Sequence, residues 1–218
     1  HPQSNPWSVR VRYQIPQEEQ ALLDNIEVAR AHTDEAEKDY YKGLARELTP
    51  LFQYYWKSGN FVKCVDVCQE ILQIKERLVG RYNESYAQMQ ANLAQAYMYS
   101  GKYEEGRQVI LSMLDTYQGI PEIQNAAFYL NNCSLVGVFF LQVGDFENAV
   151  KYSLEALELF DKYTVEPMNK CLALAVIAAA YTSLGDYQKA ERYYMEDLAI
   201  LPHTHVEYGK ALNNLGLL

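Results

Sequence analysis

The side chains that most often carry out chemistry are sparse in this chain and do not converge. His203 and His205 lie on either side of one threonine, a spacing that could form the edge of a metal site. Their surroundings predict a loop between helices, in which the two rings would point in different directions. Cys64 and Cys68 lie four residues apart without the histidine neighbours of a zinc site. With no glycine-rich phosphate loop, nucleophile elbow or His-Glu-x-x-His sequence, we predict no enzyme activity, no metal and no cofactor.

The composition indicates a folded and acidic protein. Of the 218 residues 49% are hydrophobic, enough for a sizeable core, and the net charge is −9. This charge argues against direct binding of nucleic acid, which depends on clustered Lys and Arg. Residues 171–180 form an apolar stretch only ten long, so we expect no membrane span. The four cysteines are interpreted as buried thiols in a reducing, cytoplasmic compartment.

A glycine followed two residues later by an aromatic residue recurs four times along the chain. The glycines are Gly59, Gly101, Gly144 and Gly185, spaced 42, 43 and 41 residues apart, and the aromatics are Phe61, Tyr103, Phe146 and Tyr187. A glycine can adopt the left-handed conformation that ends one helix and reverses the chain. The repeat therefore predicts an all-α fold, an α-solenoid of stacked helical hairpins with a continuous core.

This pattern resembles the tetratricopeptide repeat (TPR) family. The fullest match is in the fourth copy, with Leu174, Ile177, Ala178, Tyr181, Gly185, Tyr187, Ala190, Tyr194 and Pro202. An ordinary TPR repeats every ~34 residues, so these copies are similar to the longer repeats of kinesin light chains, LGN/Pins polarity adaptors and bacterial TPR regulators. The resemblance implies a right-handed superhelix whose concave face is lined by the first helix of each hairpin.

The repeats divide the chain into seven predicted segments. They are an extended N-terminal arm at 1–16, a helical segment at 17–44, TPR-like repeats at 45–82, 83–119, 120–164 and 165–203, and the start of a truncated fifth repeat at 204–218. Asn83 is a good N-cap, and Pro121 and Pro167 suit first helical turns, so we expect inner helices to start there. Both ends lie where we expect a longer protein to continue.

The TPR resemblance also implies which side chains face the groove. Taking the family's positions before each corner glycine, the predicted peptide-binding residues are Gln53, Trp56, Gln88, Asn92, Gln95, Tyr99, Asn131, Ser134 and Gln142. Asn and Gln can bond both the N–H and the C=O of an extended backbone, and Trp and Tyr can form apolar pockets. The lysine and arginine carboxylate clamp of chaperone-binding TPRs is missing. The inner face of the fourth repeat is small and apolar, as if covered by another element.

Three functions are compatible with these observations. The first is a protein-interaction scaffold that binds a partner peptide or helix in the groove. The second is a ligand-gated regulator, the peptide-sensing part of a larger signalling or transcription-regulating protein. The third is a non-catalytic repeat domain of a larger enzyme. We also expect that the unfinished fifth repeat could support self-association, because an uncapped repeat leaves apolar surface open.

Overall fold

The computed structural model describes residues 16–32, 36–120, 127–163 and 166–218, without the side chains of residues 127–129 and 131. The described residues form ten α-helices and one short 3₁₀ turn, Pro167–Lys170. The helices are α1 (Gln17–Ala31), α2 (Glu37–Lys57), α3 (Phe61–Val79), α4 (Glu84–Tyr99), α5 (Tyr103–Gln118), α6 (Ala127–Gln142), α7 (Phe146–Lys162), α8 (Cys171–Leu184), α9 (Tyr187–Ile200) and α10 (Val206–Gly216). The predicted arm and the predicted helix start at Pro121 lie outside the described residues.

The four repeat glycines form the corners of four hairpins, as predicted. Gly59, Gly101, Gly144 and Gly185 have φ values of 71°, 78°, 80° and 79°, in the left-handed region. At the first corner the Gly59 N–H donates to the Trp56 carbonyl and the Asn60 N–H donates to the Tyr55 carbonyl. The same pair of bonds recurs at the other three corners. This is the Schellman arrangement, which satisfies carbonyls that the helix end would leave unpaired.

The hairpins stack in chain order, so that each helix packs against the helices before and after it. The first helices of successive hairpins also contact each other, α4 with α6 and α6 with α8. Within the described ranges, the second helices α5, α7 and α9 are not in comparable contact with one another. The layer of first helices is therefore the more closely packed one, and the side of the stack formed by α4, α6 and α8 is called the inner side. The fold is the predicted all-α solenoid.

Small residues at the helix crossings let the layers approach closely. Gly106 of α5 faces Phe139 of α6, and a Cβ on Gly106 would lie 3.0 Å from that ring. Gly137 of α6 faces Ser153 of α7, and a Cβ there would lie 2.0 Å from the serine Oγ. Phe139 is 2% exposed. The inner helix α6 therefore contacts both neighbouring outer helices through glycine.

A buried carboxylate fixes α1 to the first hairpin. Glu19 is 6% exposed, and its Oε1 accepts from the Tyr55 hydroxyl at 2.8 Å and the Lys63 ammonium at 2.6 Å. The hydrogen bond from Lys63 lowers the pKa of Glu19, and burial raises the pKa of Tyr55. Three helices therefore meet at one polar contact, close to the corner at Gly59.

Two segments concern the expectations about membrane insertion and self-association. Within the described residues, Pro167–Leu184 alone has the length and apolar content of a membrane span. Its residues Ala173, Ile177 and Ala180 are fully buried, and it packs between α7 and α9 as a core helix. At the end of the chain, α10 leaves Leu212 partly exposed, and the expected self-association through this end stays a prediction.

Candidate binding groove

The helix α4 presents one row of open polar side chains on the inner side of the stack. Gln88, Asn92, Gln95 and Tyr99 follow one another at steps of four, three and four residues, which places them on one face. The three amides are half-buried and Tyr99 is 55% exposed. The Gln88 Nε2 donates to the Asn92 Oδ1 at 3.1 Å, so the amides keep further donors and acceptors available.

The N-cap at Asn83 determines how this row begins. Its side chain accepts from the Tyr86 N–H at 2.9 Å, as the sequence predicted for the start of α4. Other faces of α4 are occupied by the core, where Ala87, Ala91 and Ala94 are fully buried. Since the core holds the buried side of α4, the amide row is left on the open side of the helix.

Two of the predicted groove residues meet in an aromatic cluster at the corner end of the row. The rings of Trp56 and Tyr99 have centroids 6.1 Å apart, which links α2 to α4. Phe61 contacts both, with centroids 5.5 Å from Trp56 and 4.8 Å from Tyr99. The prediction omitted Phe61, although its place two residues after the corner Gly59 is the signal that would have found it. Gln53, three residues before Trp56, is exposed on α2.

The predicted residues of α6 are not all on the open surface. Gln142 is exposed close to the corner at Gly144. Ser134 is 3% exposed, and its Oγ makes no hydrogen bond within the described residues. The side chain of Asn131 lies outside the described part of the chain. On α4, Met98 beside Tyr99 is buried in the core.

The open surface of α6 and α8 is mainly aliphatic, with Gln142 and Ser183 as exposed polar residues at the corner ends. Leu135, Val138 and Leu141 are half-buried along α6, and Leu172 of α8 is 49% exposed. Ala179, also on α8, is half-buried. The inner side therefore changes from amides and aromatics at α2 and α4 to aliphatic side chains at α6 and α8.

Charge separates the two layers of helices. The outer helices α3, α5, α7 and α9 carry between four and six charged side chains each, whereas α4 carries only Glu84, and α6 and α8 carry none. The first inner helix, α2, does not follow this rule and carries both signs of charge. The neutral part of the inner side thus extends from α4 to α8.

The two histidines near the end of the stack make local contacts within the fold. His203 stacks on the Tyr208 ring with centroids 4.6 Å apart, and the His205 Nδ1 accepts from the Glu207 N–H at the start of α10. Among the described residues, no three His, Cys, Asp or Glu side chains converge on a point where they could hold a metal.

One buried carboxyl breaks the regularity of the repeats. Asp197 of α9 is 2% exposed, and its Oδ1 has no hydrogen-bond partner within the described residues. Burial raises its pKa, and burial together with the neighbouring Asp197 raises the pKa of the Cys171 thiol to about 12. The residues at the same distance after the other corner glycines are buried and apolar: Ile71, Met113 and Ala156.

Comparison with known proteins locates the repeat signature in the fourth hairpin. Residues 173–204 match the family model for the tetratricopeptide repeat. This range contains the copy whose residues gave the fullest resemblance. No curated protein matches the sequence of the chain.

Solved structures share the fold at low sequence identity. BtubC (BKLC) from P. vanneervenii superposes with a TM-score of 0.71 at 19% identity, over 92% of this chain and 81% of that one. A kinesin light chain-like protein of Podosopora anserina with nearly identical TPR-like repeats superposes with a TM-score of 0.68 at 17% identity, over 84% of each chain. MamA superposes with a TM-score of 0.54 at 13% identity, over 85% of this chain and 92% of that one. The chain therefore has a TPR-like helical repeat fold, with a match to the tetratricopeptide repeat in its fourth hairpin.

Proposed function

We propose that this protein is an interaction scaffold that binds a segment of a partner protein along the inner side of its helix stack. TPR repeats generally mediate contacts between proteins, which supports the general class. The single observation that carries the finer proposal is the row of Gln88, Asn92, Gln95 and Tyr99, open on one face of α4 and uncharged throughout. Amides and aromatics in a concave surface suit recognition of a polypeptide segment.

The proposal assigns no catalytic step to this chain. The side chains of the groove are amides, aromatics and aliphatics, none of which is a general base or a nucleophile activated by one. We also propose a reducing, cytoplasmic location, supported by four free thiols, of which Cys64 and Cys68 are fully buried. The regulator and enzyme-domain alternatives stay predictions.

Affinity capture with a matched pair of variants tests the groove. The groove variant combines Asn92→Ala with Gln95→Ala, and the control combines Gln73→Ala with Gln118→Ala, which are exposed on the outer helices α3 and α5. We expect the parent and the control to capture the same partner, and the groove variant to capture at least about tenfold less. Equal capture by all three proteins would mean that the partner uses another surface.

Site-specific crosslinking tests the same surface without changing the amide row. A photoreactive phenylalanine analogue replaces the exposed Gln53 on α2 in one protein and the exposed Gln73 on α3 in another. We expect the captured partner to crosslink to position 53 and not to position 73. The reverse pattern would assign the partner to the outer helices.

A further inference from the structure

We propose that the groove takes a two-part segment: an uncharged aliphatic helix face that lies on α6 and α8, and an adjoining extended stretch whose backbone lies on the amides of α4. This inference rests on the proposed function and specifies the chemistry of the partner. It follows from the charged and hydrogen-bonding groups that the open surface presents along the stack and from those that are missing there.

The first step is that the solvent-exposed positions described on this open surface carry no charged side chains. Burial explains neutral residues in a core, but Leu172 and Tyr99 are about half exposed, and Gln142 and Ser183 are exposed. None of the open positions described on α6 and α8 carries a charge, while the outer helices are rich in charge. A charged partner side chain covering this surface would lose water and find no counter-charge, which is costly. The surface therefore selects an uncharged face.

The second step is the scarcity of free hydrogen-bonding groups among the described open side chains of α6 and α8, where Gln142 and Ser183 lie only at the corner ends. Leu135, Val138, Leu172 and Ala179 offer none, and the Thr182 hydroxyl already donates to the Ala178 carbonyl. An extended chain pressed onto these side chains would leave its own N–H and C=O groups unpaired. A helix pairs these groups internally. The small Ala179 side chain also allows a helix backbone to approach closely.

The third step is the match between the amide row and an extended backbone. A step of four residues along a helix, as from Gln88 to Asn92, advances about 6 Å. Every second residue of an extended strand is about 6.6 Å along its axis. Gln88 and Asn92 can therefore reach N–H and C=O groups on the same side of an extended partner chain, since an amide offers both a donor and an acceptor. The step of three residues to Gln95 advances only about 4.5 Å, so Gln95 does not continue this match.

A selection from a random peptide library tests this inference on the full chain. Peptides retained by the immobilised protein are sequenced, and their affinities are measured by fluorescence anisotropy at low and high salt. We expect aliphatic residues at helical spacing with no charge on that face, next to a stretch of poor helix formers. We expect salt to change the affinity by less than about twofold, because screening acts on charges. Retained peptides with charged faces and salt-dependent binding would overturn the inference.

Matched variants then assign each part of the peptide to its surface. Leu172→Glu introduces a carboxylate on α8, and Leu111→Glu introduces one on the outer helix α5. The two sites are similarly exposed, Leu172 at 49% and Leu111 at 38%. We expect Leu172→Glu to weaken the selected peptides at least about tenfold, because the new charge would be buried under the aliphatic face. We expect Leu111→Glu to leave them unchanged. Equal effects of the two variants would contradict the assignment to α8.

The same measurements separate failure of this inference from failure of the proposed function. Peptides that need Asn92 and Gln95 but tolerate Leu172→Glu would overturn the two-part segment and keep the groove. A library that yields no binder, or only binders that tolerate every groove variant, would overturn both.

Discussion

The inner and outer helices of this stack both bury one face in the core but present different surfaces to water. The outer helix α7 carries six charged side chains, and the inner helix α6 of the same hairpin carries none. Both contribute fully buried aromatics to the core, Phe160 from α7 and Phe140 from α6. Since both helices bury one face, burial alone does not account for the difference. The difference lies in the second face, which is charged on the outer side and neutral on the inner side.

The two layers also differ in how closely their side chains pack against neighbouring helices. On the outer side, exposed charges can change without touching a neighbour, and single surface changes usually matter little. On the inner side, α6 meets glycines or small residues on both flanks, through Phe139 against Gly106 and Gly137 against Ser153. The following variants test this contrast between the layers.

The largest effect is expected for Phe139→Ala. The ring is almost fully buried between α6 and the α4–α5 hairpin, and removing such a ring costs about 3–5 kcal/mol of unfolding free energy. Denaturant unfolding followed by circular dichroism measures this change. The matched control, Leu111→Ala on the exposed side of α5, should cost less than about 1 kcal/mol. A small loss for Phe139→Ala would mean that α6 contributes little to joining the hairpins.

The next largest effect on stability is expected for Gly137→Ala, which tests the close approach of α6 and α7. The new Cβ would lie 2.0 Å from the Ser153 Oγ, and overpacking of this kind costs about 1–3 kcal/mol. Combining it with Ser153→Ala removes the clashing oxygen, so we expect the double variant to recover part of the lost unfolding free energy. Strictly additive losses in this cycle would show that the serine is not the obstacle.

A gain in stability is expected for Asp197→Asn, because Asp197 is the buried exception among the charges of the outer helices. Burial raises the pKa of this carboxyl, so the folded protein holds its proton more tightly than the unfolded chain. The stability that this proton provides is present below the ordinary aspartate pKa and is lost as the pH rises through the raised pKa.

The pH dependence of unfolding measures this contribution. At neutral pH we expect the Asn variant to be more stable by about 1 kcal/mol, typical of relieving an incompletely bonded buried group. The fall in unfolding free energy with rising pH should also be smaller than in the parent. The control Asp66→Asn, exposed on α3, should keep the parent's pH profile. An Asn variant with an unchanged profile would contradict the assignment to Asp197.

The smallest effect on stability is expected for Leu172→Glu and Leu111→Glu. Both side chains are partly exposed, one on each side of the stack, so each variant should change the unfolding free energy by about 0.5 kcal/mol or less. The two layers would then differ in binding and not in stability. A much larger loss for Leu172→Glu, dependent on protein concentration in thermal unfolding, would show that another copy of the chain covers α8.

The local features of the fold were predictable from particular residues. The four corner glycines have the expected left-handed conformation, and Asn83 caps α4, because both depend on a few neighbouring residues in the sequence. Pro50 lies inside α2, which continues through it as one helix. The pairing of Trp56 with Phe61 and Tyr99 was only partly predictable, since it joins residues from three helices.

The series of hairpins can be read from local sequence, because glycine conformation, helix caps and apolar periodicity are local properties. Packing between distant helices, in contrast, sets which predicted groove positions stay open. Ten residues before each corner glycine lie Thr49, Ala91, Ser134 and Ala175, and these are exposed, buried, buried and half-buried in turn. The position relative to the corner glycine is the same in all four hairpins. Their exposure differs because it depends on how closely the next inner helix packs, a distance set by side chains far away in the sequence.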